Sequence, residues 1–388
     1  MTARCLEPER TDAAGQVWVL DATTAIDTLI FSDSPYWYGL SLEVQQERTD
    51  RLVRAAFEFH LENCPLFRAY VEREIGLRGI GSLEEIPLVS TRAFKFSEIS
   101  SVPASMIEQW YRSSGTSGLT SRVPRDRRSL ERLVGSVHSV AGLLGRWDDD
   151  GAAVVNLGPG REHVDDVWFQ YVMSLIEAIH ETDSIIPSSL NDMERIAAAC
   201  KRRLAEYDDL IIAGPPFYIA SVCDFLEERG RPVQGESRIT VLTAGGWKRV
   251  AGADVDRKAF RAQVRQAFNL TSEAQIRDVF NQVELNSVLF ECSVHEKHVP
   301  PWVHVAPRDP DTLLPVPDGQ LGIMSYLDAS CTAFPCFILA EDLGTVVRGK
   351  CACGREGVRV DIVRRVETRA AKGCALTMGR LHAARQRQ

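Results

Sequence analysis

The sequence predicts an α/β protein: a large body of mixed sheets packed with helices, a smaller strand-rich lobe, and a short tail. Three observations carry this. From about Gly151, short β-branched runs alternate with amphipathic stretches, the pattern of strands covered by helices. After about Asn286 the texture turns strand-rich, with Trp302-Val303-His304-Val305 and Leu321-Gly322-Ile323-Met324, as expected of a more antiparallel lobe. A chain of 388 residues is also too long for one minimal domain.

Taken in order, residues 1–100 read as a mostly helical lead-in. Glu43 to Ile75 places Leu52, Ala55, Ala56, Phe59, Leu66 and Val71 at helical spacing with charges between them. Residues 101–285 read as the α/β core. There Ala152 to Val155 precedes a helix around Val167 to Ile179. Leu210-Ile211-Ile212 precedes a helix over Tyr218 to Glu228, and Ile239 to Leu242 precedes one over Val255 to Phe268. Residues 286–365 form the strand-rich lobe, and residues 366–388 are too few for another domain. No internal repeat or low-complexity tract interrupts this order.

Composition narrows the functional classes. Hydrophobic content of 45% and charged content of 25% are globular values, which excludes disordered, collagenous and coiled-coil chains. A formal charge of −8 argues against a nucleic-acid binder. The longest uncharged apolar stretch, Leu210 to Cys223, is too short to span a bilayer and is interrupted by Gly214-Pro215-Pro216. The opening MTARCLEPERTDAAG has no apolar signal region, so a cytoplasmic location is expected. The ten cysteines are then expected to be reduced and available for metal or chemistry.

Four motifs carry chemistry. Tyr111-Arg112-Ser113-Ser114-Gly115-Thr116-Ser117-Gly118-Leu119-Thr120-Ser121-Arg122 offers small residues and hydroxyls that let backbone amides close around a polyphosphate. Its spacing is neither that of a GxxxxGK[ST] loop nor that of a strand–GxGxxG–helix unit, and a Ser/Gly linker has the same composition. The second motif is a set of soft ligands, Cys292, His295 and His298 in ECSVHEKH and Cys351 and Cys353 in KCACGREG, suited to a closed tetrahedral zinc site. Third, Phe280-Asn281-Gln282-Val283-Glu284 and Ala340-Glu341-Asp342-Leu343-Gly344 each place acids after an apolar strand-like run. Last, Cys374 stands beside Lys372 and Gly373 in the tail, where a thiolate could be reactive or a half-buried anchor could simply pack.

The order of these motifs resembles the acyl-adenylate-forming enzymes, and within them the acyl-protein synthetase (LuxE) family, whose relatives include phenylacetate–CoA ligases. The resemblance runs from about Ile86 to Cys374, through IPLVSTRAFKF, SSGTSGLTS, TAGGWKR, FNQVELNSVLFEC, HVPPW, AEDLG, CACGREG and KGCALTM. It implies an adenylate-forming body whose usual C-terminal domain is absent or reduced to the tail. The implied function is activation of a small-molecule carboxylic acid with ATP and Mg²⁺ as an acyl-AMP, followed by transfer to a thiol. By resemblance, Ser113, Ser114, Gly115, Thr116, Ser117 and Gly118 hold the phosphates, Glu284 coordinates magnesium, and Asp342 binds the ribose. Gly245, Gly246, Phe280 and Asn281 border adenine and the acyl carboxylate, with Arg365 at the hinge. Cys292, His298, Cys351 and Cys353 look like structural zinc ligands, with His295 the rival histidine. Cys374 is similar to the tail cysteine that carries the acyl group, and Lys248 and Lys372 are candidates for the lysine that the missing domain would supply.

The chain departs from the superfamily pattern at three places. Arg122 stands where many relatives have lysine, FNQVE lacks the usual glycine and threonine, and Arg364-Arg365 replaces a Gly-Arg pair. The implied acyl acceptor is Cys374 itself and then a partner protein, with CoA, a carrier-protein thiol or an amine as alternatives. A non-catalytic zinc-containing scaffold is the alternative from another class.

Overall fold

The computed structural model describes residues 9–11, 17–19, 22–33, 37–76, 79–114, 120–144, 151–246 and 256–365. Near the N-terminus, β1 (Glu9–Thr11) and β2 (Val17–Val19) pair, among the described residues, only with each other. A helical layer follows. Ser41 caps the helix Leu42–Asn63 by accepting from the Val44 amide, and the helix stops at Cys64 because Pro65 disfavours helical backbone in the residue before it. Pro65 then opens a second helix, Pro65–Ile75. The single helical run expected over Glu43 to Ile75 is therefore two helices. Its core side is carried by Leu52, Val53, Ala56 and Phe57, and the neighbouring Ala55 and Phe59 are only half-buried.

After β3 (Val89–Ser90), the strands β4 (Ile107–Arg112) and β5 (Arg122–Asp126) form an antiparallel hairpin of their own. The main sheet takes in β6 (Ala152–Asn156), β7 (Glu181–Ser184), β8 (Asp209–Gly214), β9 (Ile239–Ala244) and β10 (Ile276–Phe280), all parallel. It continues through β11 (Leu289–Glu291), β12 (Lys297–His298), β13 (Val303–Arg308), β14 (Gly322–Asp328), β15 (Phe337–Lys350) and β16 (Glu356–Arg365), which pair antiparallel. The spatial order is β13-β14-β15-β16-β12-β11-β10-β9-β8-β6-β7, with β3 added in parallel on β15. The strand-rich region thus extends the same sheet, hydrogen-bonded to the parallel part through β10 and β11.

Successive residues of a strand point to opposite faces, which explains the unbroken apolar runs. Val155, Ile212 and Val241 pack beneath the helices Leu190–Glu206, Pro216–Glu228 and Arg257–Ala267, with Ile196, Ile219 and Phe260 as partners. Their neighbours Val154, Ile211 and Leu242 face the other cluster, which reaches Phe57, Phe67, Trp168, Trp302 and Phe337. The helix expected over Val167 to Ile179 is shorter: α-helix over Trp168–Ser174, then a 3₁₀ turn over Leu175–Ala178. Among the described residues, no helix is long and apolar enough to cross a membrane.

Candidate active site and metal centre

The β4–β5 hairpin closes the Ser/Gly loop at its neck. Arg112 lies opposite Arg122 in register, the Ser113 amide donates to the Ser121 carbonyl at 3.1 Å, and the Ser121 amide returns to Ser113 Oγ at 3.1 Å. Arg112 also ties the neck to the segment before Trp168. Its amide donates to the Asp166 carbonyl at 2.8 Å, and its Nε lies 2.6 Å from Asp166 Oδ1. Ser113 and Ser114 therefore enter a loop anchored on both sides, whereas Gly115, Thr116, Ser117 and Gly118 lie outside the described residues.

Trp168 is the next junction. Its indole N–H donates to Asn281 Oδ1 at 2.6 Å, while the Asn281 amide donates to the carbonyls of Leu285 and Ser287 at 3.2 and 2.7 Å. The FNQVE segment is thus curled back on itself by its asparagine. Ala244 pairs in register with Val279, which brings Gly245 and Gly246 beside Phe280 and Asn281 at the carboxyl ends of two parallel strands. Ligands of open α/β sheets bind at such ends. Gly245 has a φ of 95°, and a Cβ there would meet Phe169 Cε2 at 3.1 Å, so this position requires glycine.

Phe280 stacks on Tyr326 with ring centroids 6.0 Å apart. Burial, helped by the nearby Asp342 carboxylate, raises the Tyr326 phenol well above its ordinary value. Asp342 therefore belongs to the same neighbourhood. It does not follow a strand, as its motif suggested: β15 runs on to Lys350, with an irregular register between Leu343 and Gly344, and Asp342 lies opposite Arg365 on β16. Its neighbour Glu341 lies 4.0 Å from Arg92 Nε and 3.8 Å from Lys95 Nζ, both from the IPLVSTRAFKF motif.

Glu284 is buried, and its own carbonyl accepts the Cys336 thiol at 2.9 Å. A residue that no sequence motif indicated holds this segment. Arg125, 0% exposed and on the strand that returns from the Ser/Gly loop, donates from Nη2 to the carbonyls of Val283 and Leu285 at 2.8 and 3.4 Å, one on each side of Glu284. The guanidinium sits 4.3 Å from the ring centre of Trp168 and 4.8 Å from that of Phe334. Two ring faces and two carbonyls stabilise a buried cation that would otherwise be costly to dehydrate. In the sequence, Arg125 is one of several arginines after the loop, and only the fold reveals its partners.

The soft ligands form a separate centre. Cys292, His298, Cys351 and Cys353 bring their donor atoms within 4.8 Å of one another. Cys292 Sγ and Cys351 Sγ are 3.9 Å apart, and Cys353 Sγ is 3.5 Å from His298 Nε2, the edge lengths of a tetrahedral site. Two turns of one pattern present the cysteines. Cys292 N–H donates to Glu296 O and His295 N–H to Cys292 O; Cys351 N–H donates to Arg355 O and Gly354 N–H to Cys351 O. The fourth residue of each turn is left-handed, His295 at φ 62° and Gly354 at φ 92°. That geometry turns His295 away from the thiols, and its Nδ1 lies 3.6 Å from Glu291. His298 is the histidine of the cluster.

The electrostatics suit a cation. Burial, with Arg355 and Arg359 nearby, pushes His298 down to about 4, so its imidazole is neutral at pH 7 and able to bind a metal. Burial raises Cys292 and pushes Cys351 up to about 12. Against its own burial, the Arg355 amide and neighbouring thiols hold Cys353 low. Three thiols at this separation cannot all ionise without a divalent cation between them. Lys248, Lys372 and Cys374 lie outside the described residues, and of Arg365 only its backbone position at the end of β16 is described.

The chain is similar to known proteins in sequence and in fold. The family described as "Acyl-protein synthetase, LuxE" matches residues 18–382. A long-chain-fatty-acid–luciferin-component ligase of Aliivibrio fischeri is 41% identical over 357 residues, 92% of this chain and 94% of the relative. The protein of the same description from Vibrio harveyi is 40% identical over 364 residues, 94% of this chain and 95% of the relative. Among solved structures, 2-hydroxyisobutyryl-CoA ligase in complex with 2-HIB-AMP and CoA has the same fold, with a TM-score of 0.64 at 16% identity, covering 84% of this chain and 69% of that one.

Proposed function

Because the chain belongs to the acyl-protein synthetase (LuxE) family, we propose that it is an AMP-forming acid–thiol ligase that activates a long-chain fatty acid. The acid class follows the names of the two relatives. The observation that carries the reading is the joining of the neck of the Ser/Gly loop, Gly245-Gly246, Phe280-Asn281, Glu284 and Asp342 through Trp168, Arg125 and Tyr326. Acid-dependent ATP–pyrophosphate exchange tests it.

The chemistry needs such a site. A free carboxylate is a poor acyl donor, since its leaving group would be oxide. One carboxylate oxygen attacks the α-phosphorus of ATP; a P–O bond forms, the bond to the bridging oxygen breaks, and pyrophosphate departs with that electron pair. Amides and hydroxyls of Ser113 to Gly118 bind the phosphates as charge shifts along them. Glu284 offers a hard carboxylate oxygen for the Mg²⁺ that accompanies the nucleotide, which would neutralise phosphate charge. Asp342 accepts from the ribose hydroxyls. Gly245 and Gly246, with Phe280 and Asn281, border adenine and the acyl carboxylate. Arg365 stands opposite the ribose acid at the end of β16. In the second half the Cys374 thiolate attacks the acyl carbon, a C–S bond forms, the C–O bond to AMP breaks, and AMP leaves. Lys248 and Lys372 are the cations that would meet the charge on the reacting oxygens, and a partner protein would take the acyl group onward.

Arg125 positions the Glu284 segment in this scheme. Arg125→Lys keeps the charge but loses the fork on two carbonyls and the stack between rings. It is expected to lower exchange by about 10–100-fold, the loss that follows a small displacement of a reacting group. The expected signature is a raised Mg²⁺ requirement, with little change in the half-saturating acid concentration, read from exchange rates at varied Mg²⁺.

Cys292, His298, Cys351 and Cys353 fit Zn²⁺, which would supply only cross-linking there, since four protein donors leave no open position. It would hold the 292–296 and 351–355 turns together. Metal analysis is expected to find zinc in a one-to-one ratio with the chain. Its removal by a chelator is expected to lower the thermal midpoint by roughly 10 °C, because metal-binding energy of this kind is folding energy. Protein that is folded and metal-free as purified would overturn this assignment.

A further inference from the structure

Four side chains that no part of the proposed mechanism uses form one row across adjacent strands. Thr243 pairs in register with Asp278, and Glu291 with Lys297; Val279 opposite Phe290 sets Asp278 beside Glu291. The row is closed by polar contacts. Lys297 Nζ lies 2.8 Å from Asp278 Oδ2 and 2.9 Å from Glu291 Oε1. Glu291 Oε2 accepts the Asp278 amide at 2.9 Å, and Thr243 Oγ1 lies 2.6 Å from Asp278 Oδ1. The side chains of Lys297, Asp278 and Glu291 are 3%, 9% and 8% exposed, so water screens little of this attraction.

The placement of the row is informative. Cys292 follows Glu291 and His298 follows Lys297, whereas Gly245 lies two residues after Thr243 and Phe280 two after Asp278. A buried lysine with two carboxylates is no gain over an apolar core of the same shape, so its value lies in fixing which strands meet and how. We propose that Lys297 is a positioning residue: it pins the carboxyl ends of β9 and β10, which bear the nucleotide-facing segments, to the strand that leads into Cys292 and the strand that bears His298. The four-ligand centre and the nucleotide site then share one rigid row, and loosening either end of it weakens nucleotide binding. The inference rests on the adenylating function proposed above.

The test is ATP affinity by calorimetry, with thermal stability measured in parallel, on native protein and on K297M, each with and without metal removal. K297M is expected to weaken ATP binding by about tenfold, within the range of coupling between neighbouring packed elements. Metal removal is expected to weaken it similarly in the native chain and to add little in K297M. K297R, which keeps the charge between both carboxylates, is expected to restore affinity. Unchanged ATP affinity in a folded K297M, or full additivity with metal removal, would overturn the proposal. If K297M does not fold, the triple variant D278N/E291Q/K297M carries the same comparison without leaving bare carboxylates. Native protein that binds no ATP would instead overturn the proposed function, a result distinct from failure of the Lys297 role.

Discussion

Cys374→Ser is expected to leave acid-dependent ATP–pyrophosphate exchange at the native rate and to abolish retention of the acyl group on the chain. Exchange requires only the first half-reaction, the attack of a carboxylate on ATP, in which the role proposed for Cys374 has no part. Capture of the acyl group requires a strong nucleophile, and a serine hydroxyl without an activating base is a far weaker one than a thiol. A tail thiol attached to the same chain would also meet the acyl-AMP at an effective concentration that no free thiol reaches. The acyl-enzyme, followed with a labelled fatty acid and denaturing gels, should fall by at least about a thousandfold. Undiminished label on the serine variant would place the acceptor elsewhere. Undiminished thioester formation on added CoA would make Cys374 inert and the protein a CoA ligase.

Glu284→Ala is expected to lower exchange itself by about 10²–10³-fold, the usual loss when one electrostatic partner of a developing charge is removed. Glu284→Gln should fare little better, since a neutral amide is a poor ligand for Mg²⁺. The two variants separate the halves of the reaction: one blocks the thiol step with exchange intact, the other blocks both. Circular dichroism and the thermal midpoint distinguish loss of chemistry from loss of fold. Native exchange in a folded Glu284→Ala protein would remove this carboxylate from the mechanism.

Much of the fold was legible because its signals are local. Val154-Val155, Ile211-Ile212 and Val241-Leu242 are apolar in pairs because both faces of a parallel sheet are covered, and sequence alone displays that. What failed was local as well. The break at Cys64 required weighing Pro65 against an otherwise helical pattern, and Asp342 looked like a strand end because the bulge beside it left no mark in residue types. The soft ligands were legible as a set from spacing, but the choice of His298 over His295 depends on the left-handed backbone at 295. Arg125 and Lys297 could not be found in the sequence. The carbonyls that Arg125 holds lie 158 and 160 residues away, and the two carboxylates around Lys297 come from two other strands. A buried arginine or lysine resembles a surface one until its neighbours are known.

The central claim is that this chain adenylates a fatty acid. Its most direct test supplies the native protein with Mg²⁺, ATP and labelled pyrophosphate, and adds long-chain fatty, aryl and short hydroxy acids in separate pools. The expected result is label entering ATP only when acid is present, strongest with the long-chain fatty pool and lost in Glu284→Ala. Folded, metal-loaded protein that exchanges no label with any pool would contradict the account.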